Sequence, residues 1–353
     1  MNSRIRFLNA IKLKPLKRPP LWVMRQAGRY LPEYREIKKQ YHFTQMVKTP
    51  EIAAEVTLQP LKRFALDAAI IFSDILVIPE ALGMPYTFRE QGGIEMDGCI
   101  STRDDVLKLD KEGITEKLEY VAQSLKLVKE STGAEKALIG FCGSPWTVAT
   151  YMVEGGSTRD FSKSKALLRD DPNIFHSLLE IITEASIEYI QMQIQAGIDV
   201  VQVFDSWGGV LDKPDFWEGT GRYMQTITQA IHPKVPVIIY SKGSHDKIDD
   251  LKKIRGDVYG VDSTKPIAEF SDELGGMTAV QGNLDPEIMS TDPQSVQIET
   301  QKILDEFGER KGLIFNLGHG IKPDGKIECM HALVDTVTDY EFATIMNNSG
   351  MNL

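Results

Sequence analysis

Two arginines four residues apart, Arg25 and Arg29, are the residues whose type and spacing first indicate a binding site. A guanidinium group donates hydrogen bonds in a rigid fork that fits a carboxylate, so a close pair suits a molecule with several acidic groups. The i,i+4 spacing places both side chains on one face if the segment is helical, although Gly28 and Pro32 disfavour a helix there. A solvated charged face is the alternative that the spacing leaves open.

The distribution of charge favours the same interpretation. Residues 1–32 contain eight Lys or Arg and no Asp or Glu, whereas the 353-residue chain has a formal net charge of −10. A concentrated cationic segment in an acidic protein favours binding of a compact polyanion. The negative net charge disfavours general nucleic-acid binding.

The same charge pattern bears on location. The acid-free start could be a transit peptide, but it is short, poor in serine and continues directly into the arginine pair, so a cytoplasmic protein is predicted. No apolar run reaches the length of a membrane span, so no membrane partner is expected. The three cysteines are far apart, and no His or Cys spacing typical of zinc occurs, so neither a disulfide framework nor a metal site is predicted.

Eight short apolar runs predict the strands that must position these side chains. Several are apolar almost throughout, which is typical of parallel strands covered on both faces. The predicted strands are 21–24, 68–73, 137–142, 200–204, 235–240, 258–261, 278–281 and 313–316. Helical patterns lie between them at 51–64, 114–129, 172–196, 214–230, 246–254, 293–307 and 326–346.

This alternation predicts an α/β fold, a (β/α)8 TIM barrel that forms a single domain over residues 1–353. A doubly wound open sheet is the alternative, and the absence of Gly-x-Gly-x-x-Gly after the first strand disfavours it. The segment 83–113 has no sustained period. A loop of this length is expected to be functional, to be disordered or to contain a small hairpin.

Polar residues follow every predicted strand. In a barrel, residues just past the carboxyl ends of the strands face the site, although turns alone also favour Asp, Asn, Ser and Gly. The residues at these positions are Arg25, Asp74, Gly143, Ser144, Asp205, Ser206, Ser241, Lys242, Asp262, Asn283, Asp285 and His319.

Three further residues can be interpreted individually. Asp74 lies between apolar segments, where a carboxylate is either the cap of the next helix or a buried charge retained for function. Tyr151 precedes a glycine pair that marks a tight turn and could let the backbone approach a ligand, and a half-buried ring is the simpler interpretation of Tyr151. His319 lies between two glycines, which favours a ligand contact or a proton carrier over a packed core histidine.

Six segments together resemble the uroporphyrinogen decarboxylase family. They are 20–35 (PLWVMRQAGRYLPEYR), 57–83 (TLQPLKRFALDAAIIFSDILVIPEALG), 140–157 (GFCGSPWTVATYMVEGGS), 204–209 (FDSWGG), 281–286 (QGNLDP) and 316–323 (NLGHGIKP). The resemblance implies a cofactor-free (β/α)8 barrel and a homodimer. It also implies a carboxy-lyase of porphyrin and haem biosynthesis, which converts the four acetate arms of uroporphyrinogen III to methyl groups and yields coproporphyrinogen III and CO2.

The resemblance also implies roles for particular residues. Asp74 accepts hydrogen bonds from the pyrrole N–H groups and stabilises the protonated pyrrole, and Arg25 is its catalytic partner. The proton donor stays open between Arg25, His319 and a water held by the arginines, because a guanidinium is a poor acid. The implied substrate-binding residues are Arg25, Gln26, Ala27, Gly28, Arg29, Asp74, Phe141, Tyr151, Ser206 and His319.

Two other functions remain open on the same fold. One is a tetrapyrrole-binding protein that performs no decarboxylation. The other is a methyltransferase of the related zinc-dependent group, which requires a His/Cys ligand set that the sequence does not show.

Overall fold

A curled sheet of seven parallel strands forms the centre of the computed structural model, which describes residues 1–89 and 92–342. The sheet order is β1-β4-β5-β6-β7-β8-β9, and β2 and β3 form a separate antiparallel hairpin. The strands are β1 Ala68–Ile70, β2 Tyr86–Phe88, β3 Ile94–Met96, β4 Ala137–Gly143, β5 Val200–Asp205, β6 Val237–Ser241, β7 Val258–Gly260, β8 Ala279–Leu284 and β9 Leu313–Leu317. Every residue of β4, β6, β8 and β9 is buried, which confirms the prediction of strands covered on both faces.

The first predicted strand, 21–24, is reduced to a single bridge that closes the barrel. Leu21 pairs in parallel with Phe315 of β9, and its carbonyl accepts a hydrogen bond of 2.7 Å from the N–H of Asp67, just before β1. The strand ends there because Gln26 turns the chain back: its Oε1 accepts from the N–H of Val23 at 3.0 Å. The eight-unit barrel therefore closes through one residue rather than a full strand.

The helices surround this sheet. They are α1 Ser3–Ile11, α2 Pro32–Gln40, α3 Phe43–Lys48, α4 Pro50–Arg63, α5 Val77–Ala81, α6 Arg103–Leu107, α7 Ile114–Lys117, α8 Glu119–Thr132, α9 Pro145–Glu154, α10 Ser162–Asp170, α11 Pro172–Gln195, α12 Lys213–Phe216, α13 Arg222–Ile231, α14 Ile248–Ile254, α15 Ile267–Glu273, α16 Pro293–Phe307 and α17 Ile327–Asp339. None of the helices in the described ranges combines the length and apolarity that crossing a bilayer would require.

Two predicted helices are divided in the structure. The pattern over 114–129 corresponds to α7 and α8, because Leu118 departs from helical geometry between them. The pattern over 214–230 is interrupted by a π-helical segment, Trp217–Gly221. The prediction of a last helix over 326–346 is confirmed to Asp339, and its final residues, 343–346, lie outside the described residues.

Helix α1 closes the end of the barrel opposite the carboxyl ends of the strands. Its buried residues Phe7 and Ala10 pack with the first residues of several strands, including Ala68, Ala137 and Ala279. These small side chains leave room for the helix across the barrel floor. The opposite end of the barrel therefore remains available for a site.

Part of the cationic N-terminal segment lies at this floor and is used in the fold. Asp67 is fully buried and accepts hydrogen bonds of 2.7 Å from both Arg6 and Arg18. Asp199 is similarly buried and pairs with Arg4 at 2.8 Å. The prediction that the whole segment serves a polyanion is therefore wrong for these three arginines, because they pair with buried carboxylates within the fold.

The segment 83–113 contains the small hairpin that was one of its expected forms. Strands β2 and β3 pair, and the hairpin also bridges from Glu95 to Gly156, directly after α9. A side chain on Gly156 would overlap the carbonyl oxygen of Ile94. At Gly156 the close backbone approach is therefore made to the hairpin, and an approach of the glycine pair to a ligand stays a prediction.

Candidate functional site

The segment that carries Arg25 and Arg29 forms consecutive turns rather than a helix. Arg25 adopts a left-handed conformation with φ 63°, and the N–H of Leu31 donates to the carbonyl of Gly28 at 3.0 Å. The helical arrangement considered for the i,i+4 pair is therefore wrong. Both arginine side chains are exposed, and neither forms an ion pair with a carboxylate in the described residues.

Gln26 fixes these turns against the barrel. Its side chain is fully buried, and its Nε2 donates to the carbonyl of Ala68 in β1 at 3.1 Å. Its own carbonyl accepts from the hydroxyl of Tyr30 at 2.9 Å. Because these groups of Gln26 are occupied inside the protein, its observed role is to position the arginines on either side.

The arginine turn is also joined to the loop that carries His319. The N–H of Met24 donates to Oδ1 of Asn316 at 2.9 Å, and the N–H of Ile321 donates to the carbonyl of Met24 at 2.9 Å. A Cβ on Gly320 would lie 2.7 Å from Cγ of Arg25. Glycine at position 320 therefore allows the Arg25 side chain to cross directly over this loop.

Asp74 follows β1 and is partly exposed. It lies at the end of the barrel formed by the carboxyl ends of the strands, which is called the barrel mouth below. Its Oδ1 accepts from the N–H of Leu76 at 2.9 Å, which stabilises the turn before α5 without making Asp74 the cap residue itself. Loss of hydration raises the pKa of this carboxyl to about 6, and the hydrogen bond from Leu76 and the charge of Arg25 oppose that rise. The prediction that Asp74 caps the next helix is therefore wrong, because Leu76 is the cap residue and Asp74 orders the turn before it. That the charge is retained for function stays a prediction.

A row of aromatic side chains crosses the mouth from β4 to the His319 loop. Phe141 packs edge-to-face on Phe204 at 5.5 Å, and Phe204 packs on Tyr240 at 6.1 Å. Tyr240 stacks on His319 at 6.2 Å and donates to the carbonyl of Gly318 at 2.9 Å. These rings provide an apolar wall beside charged groups, as expected of a site for a large ring with acidic arms.

Burial lowers the pKa of His319 to about 4, and the positive charges of Arg25 and Lys242 add to this effect. An imidazole with this pKa is neutral near pH 7, so the free protein offers no imidazolium at this position. His319 can still donate one hydrogen bond to a carboxylate through its neutral N–H. The low pKa therefore favours the prediction that His319 contacts a ligand over the prediction that it carries a proton.

We expect an NMR titration of the free protein to place the midpoint of His319 near pH 4. In an Arg25→Gln variant the midpoint should rise, because one of the two positive charges that oppose protonation is removed. A midpoint near 6.5 in the parent protein would contradict the assigned burial of this imidazole.

Tyr151 and Ser206 approach the mouth from α9 and from the end of β5. Burial raises the pKa of Tyr151, and the charges of Asp74 and Arg25 act on it in opposite directions, so the three side chains share one electrostatic neighbourhood. Ser206 is partly exposed and makes no side-chain hydrogen bond with the described residues. The charge of Arg25 acts on Asp74, Tyr151 and His319, which groups these four side chains at one end of the barrel. No comparable interaction relates Arg29 or Ser206 to them in the part of the chain that the structure describes.

Asp205 is a structural residue that the strand-end pattern did not separate from the site residues. It is fully buried and accepts hydrogen bonds from the hydroxyls of Ser144 at 2.6 Å, Ser241 at 2.7 Å and Thr147 at 3.2 Å. It therefore ties together the ends of β4, β5 and β6 below Ser206. Each of the three hydroxyl residues is at least 36 positions from Asp205 in the chain, so no local signal identifies the network.

Among the described residues, no three His, Cys, Asp or Glu side chains converge in a way that could hold a metal ion. The three cysteines are free, and only Cys99 is exposed.

Comparison with known proteins gives the family. The family model described as uroporphyrinogen decarboxylase (URO-D) matches residues 2–340. A uroporphyrinogen decarboxylase from Ruthia magnifica subsp. Calyptogena magnifica is 41% identical over 95% of this chain and 98% of the relative. Another from Tolumonas auensis is 42% identical over 94% of this chain and 95% of the relative.

The similar solved structures have much lower sequence identity to this chain, so they support the fold alone. A methyltransferase from Methanosarcina mazei superimposes with a TM-score of 0.81 at 18% identity, over 96% of this chain and 99% of that chain. A B12-independent methionine synthase from Shewanella has a TM-score of 0.56 at 13% identity, over 84% of this chain and 89% of that chain. Because the family model matches nearly the whole chain and the relatives are 41% and 42% identical to it, the chain belongs to the uroporphyrinogen decarboxylase family.

Proposed function

We propose that this protein decarboxylates the four acetate arms of uroporphyrinogen III in porphyrin and haem biosynthesis, giving coproporphyrinogen III and CO2. The observation that supports this most strongly is the poorly hydrated carboxylate of Asp74, on which the charge of Arg25 acts, at a mouth with an aromatic wall. Family membership supports the same reaction. A pyrrole accepts the electrons left by CO2 once its ring carbon is protonated, so the reaction requires no cofactor.

Asp74 is the central catalytic residue of this proposal. Protonation makes the pyrrole cationic, and a fixed carboxylate beside it stabilises the transition state more than the neutral ground state. A pKa of about 6 also lets Asp74 carry a proton near neutral pH, which neither Arg25 nor neutral His319 can do well. We therefore propose that Asp74 delivers the proton to the pyrrole ring carbon. The resulting Asp74 carboxylate then stabilises the cationic pyrrole.

The exposed cationic and polar groups at the mouth hold the acidic arms of the substrate in this proposal. Arg25 and Arg29 bind carboxylates directly, and Gln26 acts by fixing the turn between them. The backbone at Ala27 and Gly28 is the part of this turn that an arm can approach. The remaining contacts to the arms and the macrocycle are Tyr151, Ser206, His319 and Phe141.

We expect Arg29→Ala to raise the KM for uroporphyrinogen by about 10- to 100-fold, because a charged hydrogen bond contributes about 1.5–3 kcal/mol. The kcat should change much less, since Arg29 is not the residue beside Asp74. Lys39→Ala removes one positive charge from exposed α2 and is the matched control, with KM expected to stay near the parent value. Equal effects of both changes would indicate general charge attraction instead of a specific contact.

The overall proposal is tested by anaerobic incubation with uroporphyrinogen III, followed by chromatography of the products and measurement of CO2. Coproporphyrinogen and CO2 in step with each other are the expected result. Tight binding of the porphyrinogen without CO2 release would support the tetrapyrrole-binding alternative and contradict the enzyme.

We also propose that the chain is a single domain, works as a homodimer in the cytoplasm and binds no nucleic acid. The dimer follows from the family resemblance, in which the clefts of two copies face each other. Sedimentation equilibrium of the purified protein tests it, and a monomer at working concentration would contradict it.

A further inference from the structure

A group of buried hydroxyls occupies the helix layer beside Asp74. The hydroxyl oxygens of Ser73, Tyr120 and Tyr189 are buried, and none has a hydrogen-bond partner of acceptable geometry within residues 1–89 and 92–342. Leaving a buried polar group unpaired costs about 1–3 kcal/mol, so proteins rarely do so. Several such groups in one region are usually bridged by buried water.

The three hydroxyls lie on elements that pack together. Tyr189 is on α11, which contacts both α8, the helix of Tyr120, and α5, the helix that follows Asp74. Ser73 directly precedes Asp74 in the chain. Burial raises the pKa of Tyr189, the Ser73 hydroxyl acts against that rise, and the charge of Asp74 adds to it. Burial likewise raises the pKa of Tyr120, and the charges of Tyr189, Glu80 and Asp74 add to that rise. Each phenol therefore lies within electrostatic reach of Asp74.

Glu80 connects this group to solvent. It lies on α5, its side chain is 22% exposed, and Oε1 accepts from Nζ of Lys48 at 2.6 Å. Its charge acts on Tyr120 and also on Tyr86, the buried tyrosine of β2. The cluster thus extends from a partly exposed carboxylate to the carboxylate at the barrel mouth.

The proposed reaction creates a need for such a connection. Each acetate arm loses CO2 by cleavage of one C–C bond, and the electron pair stays with the ring system. The resulting carbon gains a hydrogen, while the ring carbon protonated at the start returns its proton. One proton is therefore consumed for each arm, and the bound macrocycle covers the mouth through which solvent would otherwise supply it.

We propose that these buried hydroxyls, joined by water, carry protons from Glu80 to Asp74 while the substrate fills the barrel mouth. The inference rests on the decarboxylation proposed above. Each hydroxyl can accept one proton and donate another, so transfer along the row requires no tyrosine to ionise. The high pKa values of the phenols are compatible with this, since each stays protonated at neutral pH.

Tyr189→Phe and Tyr120→Phe test the inference, because each removes only a hydroxyl and keeps the ring. Each variant is expected to lower kcat at least about tenfold, to leave KM unchanged and to increase the solvent isotope effect on kcat. Glu80→Gln should also lower kcat, and small buffer acids should restore its rate, because they reach this exposed end. The tyrosine variants should not respond to buffer.

Thr300→Val is the matched control. Thr300 is fully buried in α16, and its hydroxyl also lacks a partner in the described part of the chain. It should show the parent kcat, and an equal loss in this variant would overturn the inference. An unchanged kcat and isotope effect in folded Tyr189→Phe and Tyr120→Phe would overturn it as well.

If a tyrosine variant does not fold, the kcat of Glu80→Gln with and without small buffer acids tests the inference, and a rate that buffer does not restore would overturn it. Absence of CO2 release by the parent protein would instead contradict the proposed function itself.

Discussion

Asp74→Asn is expected to lower kcat by about 10²–10³-fold, because removal of one preorganised electrostatic contact to a developing charge typically raises the barrier by about 3–4 kcal/mol. The amide cannot stabilise the cationic pyrrole as a carboxylate does, and it cannot deliver a proton. Its Oδ1 can still accept from the N–H of Leu76, so the turn before α5 should persist. Initial rates of CO2 release with uroporphyrinogen III measure the effect.

The same variant should not lose stability. The folded carboxyl has a pKa of about 6 against an ordinary value of 3.8, so ionisation is harder in the folded than in the unfolded state. The parent protein therefore loses stability from this group as the pH rises from about 4 to about 6. We expect the Tm of Asp74→Asn to equal or exceed that of the parent above pH 6, and the difference to vanish below about pH 4. Parent-like turnover in this variant would contradict the assigned role of Asp74.

Asp67→Ala is expected to lower the free energy of unfolding by about 3–5 kcal/mol, the usual result of breaking a buried ion pair. Asp67 is fully buried, and its removal leaves Arg6, Arg18 and the N–H of Leu21 without their acceptor. Because the arginines retain partial exposure, the lower part of this range is expected. Urea denaturation followed by circular dichroism measures the change.

Glu33→Ala provides the control for this effect. Glu33 also accepts two hydrogen bonds from one arginine, Arg63, at 2.9 and 3.0 Å, but this pair is partly exposed at the surface. Its removal should cost less than about 1 kcal/mol. Comparable losses in the two variants would contradict the conclusion that Arg6 and Arg18 stabilise the barrel floor through Asp67.

The sequence was sufficient for the parts of the fold that depend on local patterns. Continuous apolar runs such as 137–142 became buried strands, because covering by helices on both faces requires apolar residues throughout. The run at 21–24 did not form a full strand, and the N–H of Val23 donates there to the side-chain oxygen of Gln26. Composition cannot reveal such a bond.

The site was predictable to a similar degree. Asp74 and His319 are candidates from the sequence because polar residues follow apolar runs, and the folded environment shifts their pKa values in opposite directions, which separates the roles proposed for them. The prediction from the cationic N-terminal segment is wrong for Arg4, Arg6 and Arg18, because a count of charges does not tell which arginine meets a buried aspartate. The hydroxyls around Tyr189 lie on separate elements, so only the folded chain brings them together.

The hydrogen bond between Met24 and Asn316 joins residues 292 positions apart in the chain. A nascent polypeptide that has not yet produced its last strand therefore lacks the frame that orients the guanidinium of Arg25. Such distant pairing forms slowly, since the loop entropy must be overcome before the contact forms. We therefore expect the protein to bind a ligand with several carboxylates only after the N-terminal and C-terminal parts of the barrel have come together. Binding of such a ligand then measures the completion of folding.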